Sequence, residues 1–217
     1  MDNLNIENYD KFDIVLELLS DDGFSLNSNV IARIGAHLSL IHAHGSAFGV
    51  VSEGDIRRGA HDHVIDSLSF VSYLMPFIDT GMPFVDVGSG GGFPGIVCAA
   101  AFPELKVVLI ERSAKKCAFL RRCVAELSVQ NVSVLDVSFQ DYSWDDGPVV
   151  VATRGIERAD QVVPELLSCL SEGSTFFWMT GPKVDIEFGE RFHVEQIVDN
   201  WTALGVRRGC LYRIEVG

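Results

Sequence analysis

A glycine-rich turn directly follows a short apolar segment near the middle of the chain. Residues 84–87 read Phe-Val-Asp-Val, a run typical of a strand that is buried on both faces of a sheet. Glycines follow at Gly88, Gly90 and Gly92, where the backbone can adopt positive φ angles and a ligand can approach without meeting a Cβ atom. Pro94 suits the start of a helix whose free N–H groups would face the turn and attract an anion. The segment therefore predicts a strand, a ligand-binding turn and a helix.

Two classes of ligand are bound by turns of this kind. The spacing Gly90-x-Gly92-x-x-Gly95 fits the dinucleotide fingerprint, which is a weak signal on its own. The longer pattern Asp-x-Gly-x-Gly-x-Gly, which begins at Asp86, resembles the first motif of Rossmann-like methyltransferases that use S-adenosylmethionine (AdoMet). Glu111 ends the next predicted strand, where an acid can accept the hydroxyls of a ribose in either ligand. The turn and Glu111 together predict a nucleotide-type cofactor.

The pattern of apolar residues changes after residue 83. Helical spacing before that point predicts an N-terminal helical lead-in or cap over 1–83, and alternating strands and helices predict a Rossmann-like core over 84–217. The predicted fold class is α/β, a mostly parallel sheet with helices on both faces. Strands are predicted at 106–110, 132–135, 149–152 and 175–179, helices at 94–102, 114–127 and 160–170, and an edge hairpin or its equivalent at 192–198 and 210–216.

Charge and cysteine content limit the partners and the compartment. The chain has 17 basic and 30 acidic residues, and its net charge of −13 opposes non-specific attraction to nucleic acid. Its five cysteines are scattered without Cys-x-x-Cys spacing, as expected for reduced thiols. The sequence shows no apolar run of about 18 residues and no signal-peptide pattern. We therefore expect a cytoplasmic protein that does not associate with a membrane.

Two close histidine pairs, His42-x-His44 and His61-x-His63, raise the question of a metal site. A spacing of two places side chains on different faces of a helix. No set of cysteines or acids completes a recognisable metal site beside either pair. The sequence therefore predicts no metal.

Basic residues are clustered directly after the second predicted strand. They lie at the start of the helix predicted over 114–127 and along it. The cluster is either an ordinary solvated helix face or a patch that contacts phosphates, and the sequence leaves both interpretations open. Its members are Arg112, Lys115, Lys116, Arg121 and Arg122.

Several segments together match a known family: Asp-Val-Gly-Ser-Gly-Gly-Gly-Phe-Pro-Gly-Ile at 86–96, Lys-Lys-Cys-Ala-Phe-Leu-Arg at 115–121, Glu-Leu at 126–127 with Asn-Val at 131–132, Thr-Arg-Gly at 153–155 and His-Val-Ile-Asp-Ser-Leu at 63–68. They resemble the glucose-inhibited division protein B family, bacterial methyltransferases that modify N7 of a guanine in small-subunit ribosomal RNA. The resemblance covers roughly residues 61–183. It implies an AdoMet-dependent enzyme whose partner is ribosomal RNA or the small ribosomal subunit. Guanine N7 carries an in-plane lone pair and no proton, so transfer would be in line and would need no general base.

The resemblance also implies roles for individual residues. The glycines of the turn would pass close to the methionine part of AdoMet, and Glu111 would hold the ribose. Phe139 and Gln140 fall where the family contacts adenine, with a ring for the purine face and an amide for its edge. Arg154 would lie near cofactor and substrate, with a structural salt bridge as the alternative. The candidate cofactor-binding residues are Asp86, Gly88, Gly90, Gly92, Phe93, Glu111, Phe139, Gln140 and Arg154, and Arg154 is also the candidate catalytic residue.

The chain departs from the family pattern on the acceptor side. Ser138 and Asp62 stand where the family usually has arginines, and Thr180 stands where it usually has a lysine. Two alternatives therefore keep the cofactor: a methyltransferase acting on a small molecule or protein, and a catalytically degenerate AdoMet-binding protein. An NAD-dependent oxidoreductase is a further alternative, although no paired tyrosine and lysine stand out. The sequence does not indicate the oligomeric state.

Overall fold

The computed structural model describes residues 6–52, 54, 60–144, 146–181, 187–205 and 209–217, and only the backbone of residues 6–12, 200 and 203. Among the described residues, three helices with defined bounds precede the sheet: α1 (Ile6–Asp21), α2 (Ser28–Phe48) and α3 (His61–Leu74), followed by a 3₁₀ turn (Met75–Thr80). The strands are β1 (Phe84–Val87), β2 (Val107–Glu111), β3 (Val132–Asp136), β4 (Val150–Arg154), β5 (Thr175–Thr180), β6 (Phe192–Ile197) and β7 (Cys210–Val216). The helices that connect them are α4 (Gly95–Ala101), α5 (Ala114–Leu127), α6 (Ala159–Cys169) and α7 (Asn200–Ala203), and a second 3₁₀ turn covers Phe139–Asp141.

The described strands form one seven-stranded sheet in the order β3-β2-β1-β4-β5-β7-β6. Strands β1 to β5 pair in parallel, and β7 lies antiparallel between β5 and β6. The predicted α/β class and the antiparallel pair at the edge are confirmed. Strand order reverses between β1 and β4, and at such a point in an open α/β sheet a crevice opens beyond the carboxyl ends of the strands.

Helices α1 to α5 cover one face of the sheet, and α6 covers the other. Phe70 of α3 shows how closely the N-terminal helices pack: its ring centroid lies 5.8 Å from that of Phe84 in β1 and 5.1 Å from that of Phe177 in β5. The apolar residues of α1 to α3 therefore belong to the same buried cluster as those of the sheet. The division into 1–83 and 84–217 stays a prediction about domain organisation.

Local signals in the sequence define both ends of α2. The Asn27 side chain accepts hydrogen bonds from the backbone N–H groups of Asn29 and Val30, which caps the first turn. Gly49 closes the last turn with φ +67°, a left-handed conformation that glycine adopts without a Cβ clash. These caps fix the start and the end of a helix whose buried face packs against α4 and α5.

Within the part of the chain that the structure describes, none of the helices has the length and apolar content needed to cross a bilayer.

Candidate active site

The glycine turn connects β1 to α4, and all three spaced glycines have positive φ: +76° at Gly88, +51° at Gly90 and +88° at Gly92. Their surroundings differ. A Cβ atom at Gly88 would meet nothing within 4 Å, whereas one at Gly92 would lie 2.5 Å from Cγ1 of Ile96. Open space for a ligand therefore lies at Gly88, and Gly92 is required by packing against α4.

Asp86 is buried behind this turn. Its carboxylate oxygen Oδ2 accepts a hydrogen bond of 3.0 Å from the backbone N–H of Gly95, and the N–H of Ile96 donates to the Gly92 carbonyl. The prediction that the first N–H groups of this helix would be free to face an anion is therefore wrong for these two groups. The protein supplies its own carboxyl group, because Asp86 lies one residue before the end of β1 and next to the first turn of α4.

Burial raises the pKa of Asp86 to about 7, an effect larger than the opposing hydrogen bonds from Gly95 and Ser89. The folded protein thus binds a proton between pH 4 and 7 that the unfolded chain releases, so this carboxyl lowers stability as pH rises through that window. The shift from 3.8 corresponds to roughly 4 kcal/mol.

An Asp86→Asn variant keeps an oxygen for Gly95 and does not ionise. Its free energy of unfolding, measured in urea at pH 5, 6, 7 and 8, should fall less with rising pH than that of the wild type. Parallel plots of this free energy against pH for the two proteins would contradict the raised pKa.

Glu111 ties the turn to the end of β2. Its Oε2 accepts the N–H of Gly90 at 3.1 Å and its Oε1 accepts the N–H of Ser113 at 2.9 Å, with only 7% of the residue exposed. These bonds fix the carboxylate beside the turn. Each oxygen has a further lone pair, so the group can still accept a ribose hydroxyl as predicted.

A cavity of about 570 Å³ opens at the carboxyl ends of β1, β2 and β4. Its volume is in the range of small-molecule sites, and it lies where the strand order reverses. Five of the predicted site residues line it: Gly88, Glu111, Phe139, Gln140 and Arg154. The remaining four, Asp86, Gly90, Gly92 and Phe93, are absent from its described lining.

Phe139 and Gln140 lie on one wall of this cavity, in the 3₁₀ turn after β3. Phe139 is 8% exposed, and its carbonyl accepts a 2.9 Å hydrogen bond from the Trp144 indole. The Gln140 amide donates to Oε2 of Glu165 at 3.2 Å and accepts from the Ser138 hydroxyl. The amide is thus oriented from both sides, and one of these partners is the serine that replaces the arginine typical of the family.

Arg154 both lines the cavity and forms a salt bridge. Its NH2 nitrogen lies 2.8 Å from Oδ2 of Asp66 and 2.7 Å from Nδ1 of His63, both on α3. Nδ1 can accept only if the His63 proton is on Nε2, which sets the tautomer. The Asp66 side chain is 6% exposed and that of Arg154 is 20% exposed, so the pair is largely shielded from water. The functional and structural interpretations of Arg154 are therefore compatible.

Sequence reasoning missed two residues that contact the predicted site. Asp66 holds Arg154, and His37 of α2 contacts the glycine turn: its Nε2 lies 2.8 Å from the Gly91 carbonyl oxygen. Both are polar residues inside an apolar helical repeat, Asp66 beside Ile65 and His37 between Ile34 and Ile41. A buried polar group on an apolar helix face needs a partner, and that was the available signal.

Among the described residues, no group of three or more histidines, cysteines, aspartates or glutamates is arranged to hold a metal ion.

Comparison with known proteins finds similarity over most of the chain. Residues 31–202 match the family model GidB, rRNA small subunit methyltransferase G. Ribosomal RNA small subunit methyltransferase G of Sorangium cellulosum is 38% identical over 177 residues, 80% of this chain and 74% of that protein. The protein of the same name from Nitrosomonas europaea is 31% identical over 202 residues, which are 90% of each chain. The match thus begins 30 residues before the segment in which the resemblance was recognisable.

Two solved structures share the fold at low sequence identity. A protein described as an rRNA methylase from Clostridium thermocellum gives a TM-score of 0.50 at 17% identity, covering 68% of this chain and 93% of that one. The protein described as methyltransferase yhhF from Escherichia coli gives 0.51 at 14% identity, covering 68% and 82%. Identities this low bear on the fold alone.

Proposed function

This chain belongs to the GidB family, rRNA small subunit methyltransferase G, and we propose that it transfers a methyl group from AdoMet to N7 of a guanine in small-subunit ribosomal RNA. One observation carries the proposal. The cavity beyond β1, β2 and β4 brings the glycine turn, Glu111 and Arg154 together at one edge of the sheet. Cofactor groups and acceptor groups are thus adjacent, as a transfer reaction requires.

The cofactor half of the cavity fits AdoMet. Gly88 has φ +76° and open space where a side chain would be, so a ligand can lie against the backbone there. Glu111 would accept the ribose hydroxyls, Phe139 would cover the adenine face, and Gln140 would pair with its edge. When bound, AdoMet supplies an electrophilic methyl group on a positively charged sulfur.

On the acceptor half, the protein has to align a base rather than remove a proton. Arg154 uses its NH2 group on His63 and Asp66, and a guanidinium carries three further N–H donors. Those donors can hold guanine O6 or a phosphate and leave the N7 lone pair free to attack. Because Asp66 fixes the guanidinium, the base would be held in one orientation relative to the methyl group.

Two residues of the basic cluster after β2 line the cavity, which supports an RNA acceptor. Arg112 and Lys116 line the cavity, together with Arg158 from the start of α6. Arg122 instead pairs with Glu126 along the exposed side of α5. Cations therefore border the site although the net charge is −13, and they can contact phosphates. Glu111, Glu157 and Glu165 line the same cavity, so its charge is mixed.

The proposal is tested with small ribosomal subunits from a strain that lacks the modification. Incubation with the protein and methyl-labelled AdoMet should place label on one guanine, and chemical cleavage specific for N7-methylguanosine should map it. Free ribosomal RNA serves as the second substrate and shows whether the protein acts on RNA alone or on the assembled subunit. AdoMet binding without label in RNA would contradict RNA as the methyl acceptor. Failure to bind AdoMet would contradict the whole proposal.

A further inference from the structure

His37 contacts the glycine turn, although it lies in the N-terminal part of the chain. It is fully buried in α2, and its Nε2 lies 2.8 Å from the carbonyl oxygen of Gly91. A carbonyl only accepts, so Nε2 carries the proton and donates it. Burial lowers the pKa of His37 to about 4, so at neutral pH this is the only N–H of the ring. Its Nδ1 is buried and has no hydrogen-bond partner among the described residues.

The ring of His37 also packs against the end of the turn. Its centroid lies 4.7 Å from that of Phe93, and the centroid of the His63 ring lies 5.3 Å from that of Phe93. His63 in turn accepts a hydrogen bond from Arg154. Phe93 thus lies between two histidines, and its position depends on α2 as well as on α3. This packing explains why Phe93, predicted to bind the cofactor, is absent from the cavity lining.

The contacts on the two sides of the turn restrain it in different ways. On the side of α2, a Cβ atom at Gly91 would lie 3.3 Å from Cδ1 of Ile41 and 3.3 Å from the Val50 carbonyl oxygen. On the side of β2, Glu111 holds the N–H of Gly90. His37 therefore contributes a directional bond from the helical layer, opposite the bond from the sheet. Glycines can adopt many backbone conformations, so contacts from both sides are needed to hold the turn in one of them.

We propose that His37 is a positioning residue for the cofactor: its Nε2–H bond to Gly91 and its packing on Phe93 hold the glycine turn in the shape that accepts AdoMet. The identity of the ligand as AdoMet rests on the proposed function. The residue acts through the backbone of the turn and does not touch the cavity. Loss of the bond should therefore weaken AdoMet binding while the affinity for RNA stays unchanged.

The test compares two His37 variants with a core variant of the same helix. His37→Phe keeps a ring against Phe93 and removes the donor, whereas His37→Gln keeps a donor and removes the ring. Val30→Ala, two turns away and 2% exposed, destabilises α2 without touching the turn. We expect His37→Phe to weaken AdoMet binding roughly tenfold, the size of one lost hydrogen bond to a buried carbonyl, and His37→Gln to stay within roughly threefold of wild type. Val30→Ala should lower the melting temperature and leave the affinity unchanged.

Amide hydrogen exchange without cofactor provides the second readout. His37→Phe should speed exchange at residues 88–93 and leave β7 unchanged, because the bond restrains the turn even when no ligand is bound. Unaltered exchange there, or an equal loss of AdoMet affinity in His37→Phe and Val30→Ala, would overturn the positioning role. A wild-type protein that fails to bind AdoMet while His37→Phe still loosens the turn would overturn only the proposed function, and the positioning role would remain supported.

Discussion

Replacing Arg154 with alanine is expected to remove methyl transfer and to lower the free energy of unfolding by about 2–3 kcal/mol. Asp66 is 6% exposed at its side chain, and the substitution takes away the guanidinium that faces it at 2.8 Å. The same change removes the donors proposed to orient the acceptor base. Urea unfolding measures the first effect, and single-turnover transfer from labelled AdoMet measures the second.

A double variant separates the two roles of Arg154. Asp66→Asn with Arg154→Gln replaces the ion pair by two amides, so that no buried charge is left without its partner. We expect its stability to return to within about 1 kcal/mol of wild type, with transfer still reduced at least roughly 100-fold. Arg122→Ala is the matched control: its ion pair with Glu126 is 43% and 48% exposed, and its loss should change neither property. Recovery of activity in the double variant would show that Arg154 is only a structural partner of Asp66.

Replacing Gly88 with alanine should weaken AdoMet binding at least roughly 30-fold and leave the fold intact. Gly88 lines the cavity at φ +76°, and an added Cβ would meet no protein atom within 4 Å. The methyl group would therefore occupy space that the cofactor needs. The left-handed conformation costs about 1–2 kcal/mol for a residue with a side chain, which a folded domain tolerates. Isothermal titration calorimetry measures the affinity, and thermal unfolding measures the cost.

Gly23→Ala supplies the matched control for that experiment. Gly23 has φ +82°, and a Cβ atom there would also meet nothing within 4 Å, but it lies after α1 and does not line the cavity. The two substitutions thus share their backbone strain and differ in their position relative to the site. We expect Gly23→Ala to bind AdoMet as the wild type does. Equal affinities for the two variants would mean that the cofactor does not lie against Gly88.

The strand, turn and helix around the glycines could be predicted because their signals are local. Four residues of β1, the spaced glycines and the start of α4 follow one another directly, and all three glycines have the positive φ that the spacing indicated. The helices before residue 61 could be predicted as helices, but their relation to the family was not recognisable, because an apolar repeat carries no motif. The family match begins at residue 31 and so includes most of α2, whereas α1 lies before it.

The partners of the site residues could not be predicted, because they are distant in sequence. Arg154 meets Asp66 across 88 residues, and Gly91 meets His37 across 54. Asp86 accepts the N–H of Gly95, only nine residues further along the chain, and its role in cofactor binding stays a prediction. In each case the polar residue was visible in the sequence, whereas the group that satisfies it depends on how α2, α3 and α4 pack on the sheet.

By itself the sequence determined the α/β class, the glycine turn, Glu111 at the end of β2 and the methyltransferase family, because these depend on patterns within a few residues of one another. Only the tertiary structure decided that Arg154 pairs with α3, that Phe93 packs against two histidines, and that Nε2 of His37 in α2 lies 2.8 Å from the Gly91 carbonyl oxygen. Those contacts form when the buried faces of the N-terminal helices close over the sheet, and the positions of those faces in space are fixed by packing that no local pattern specifies.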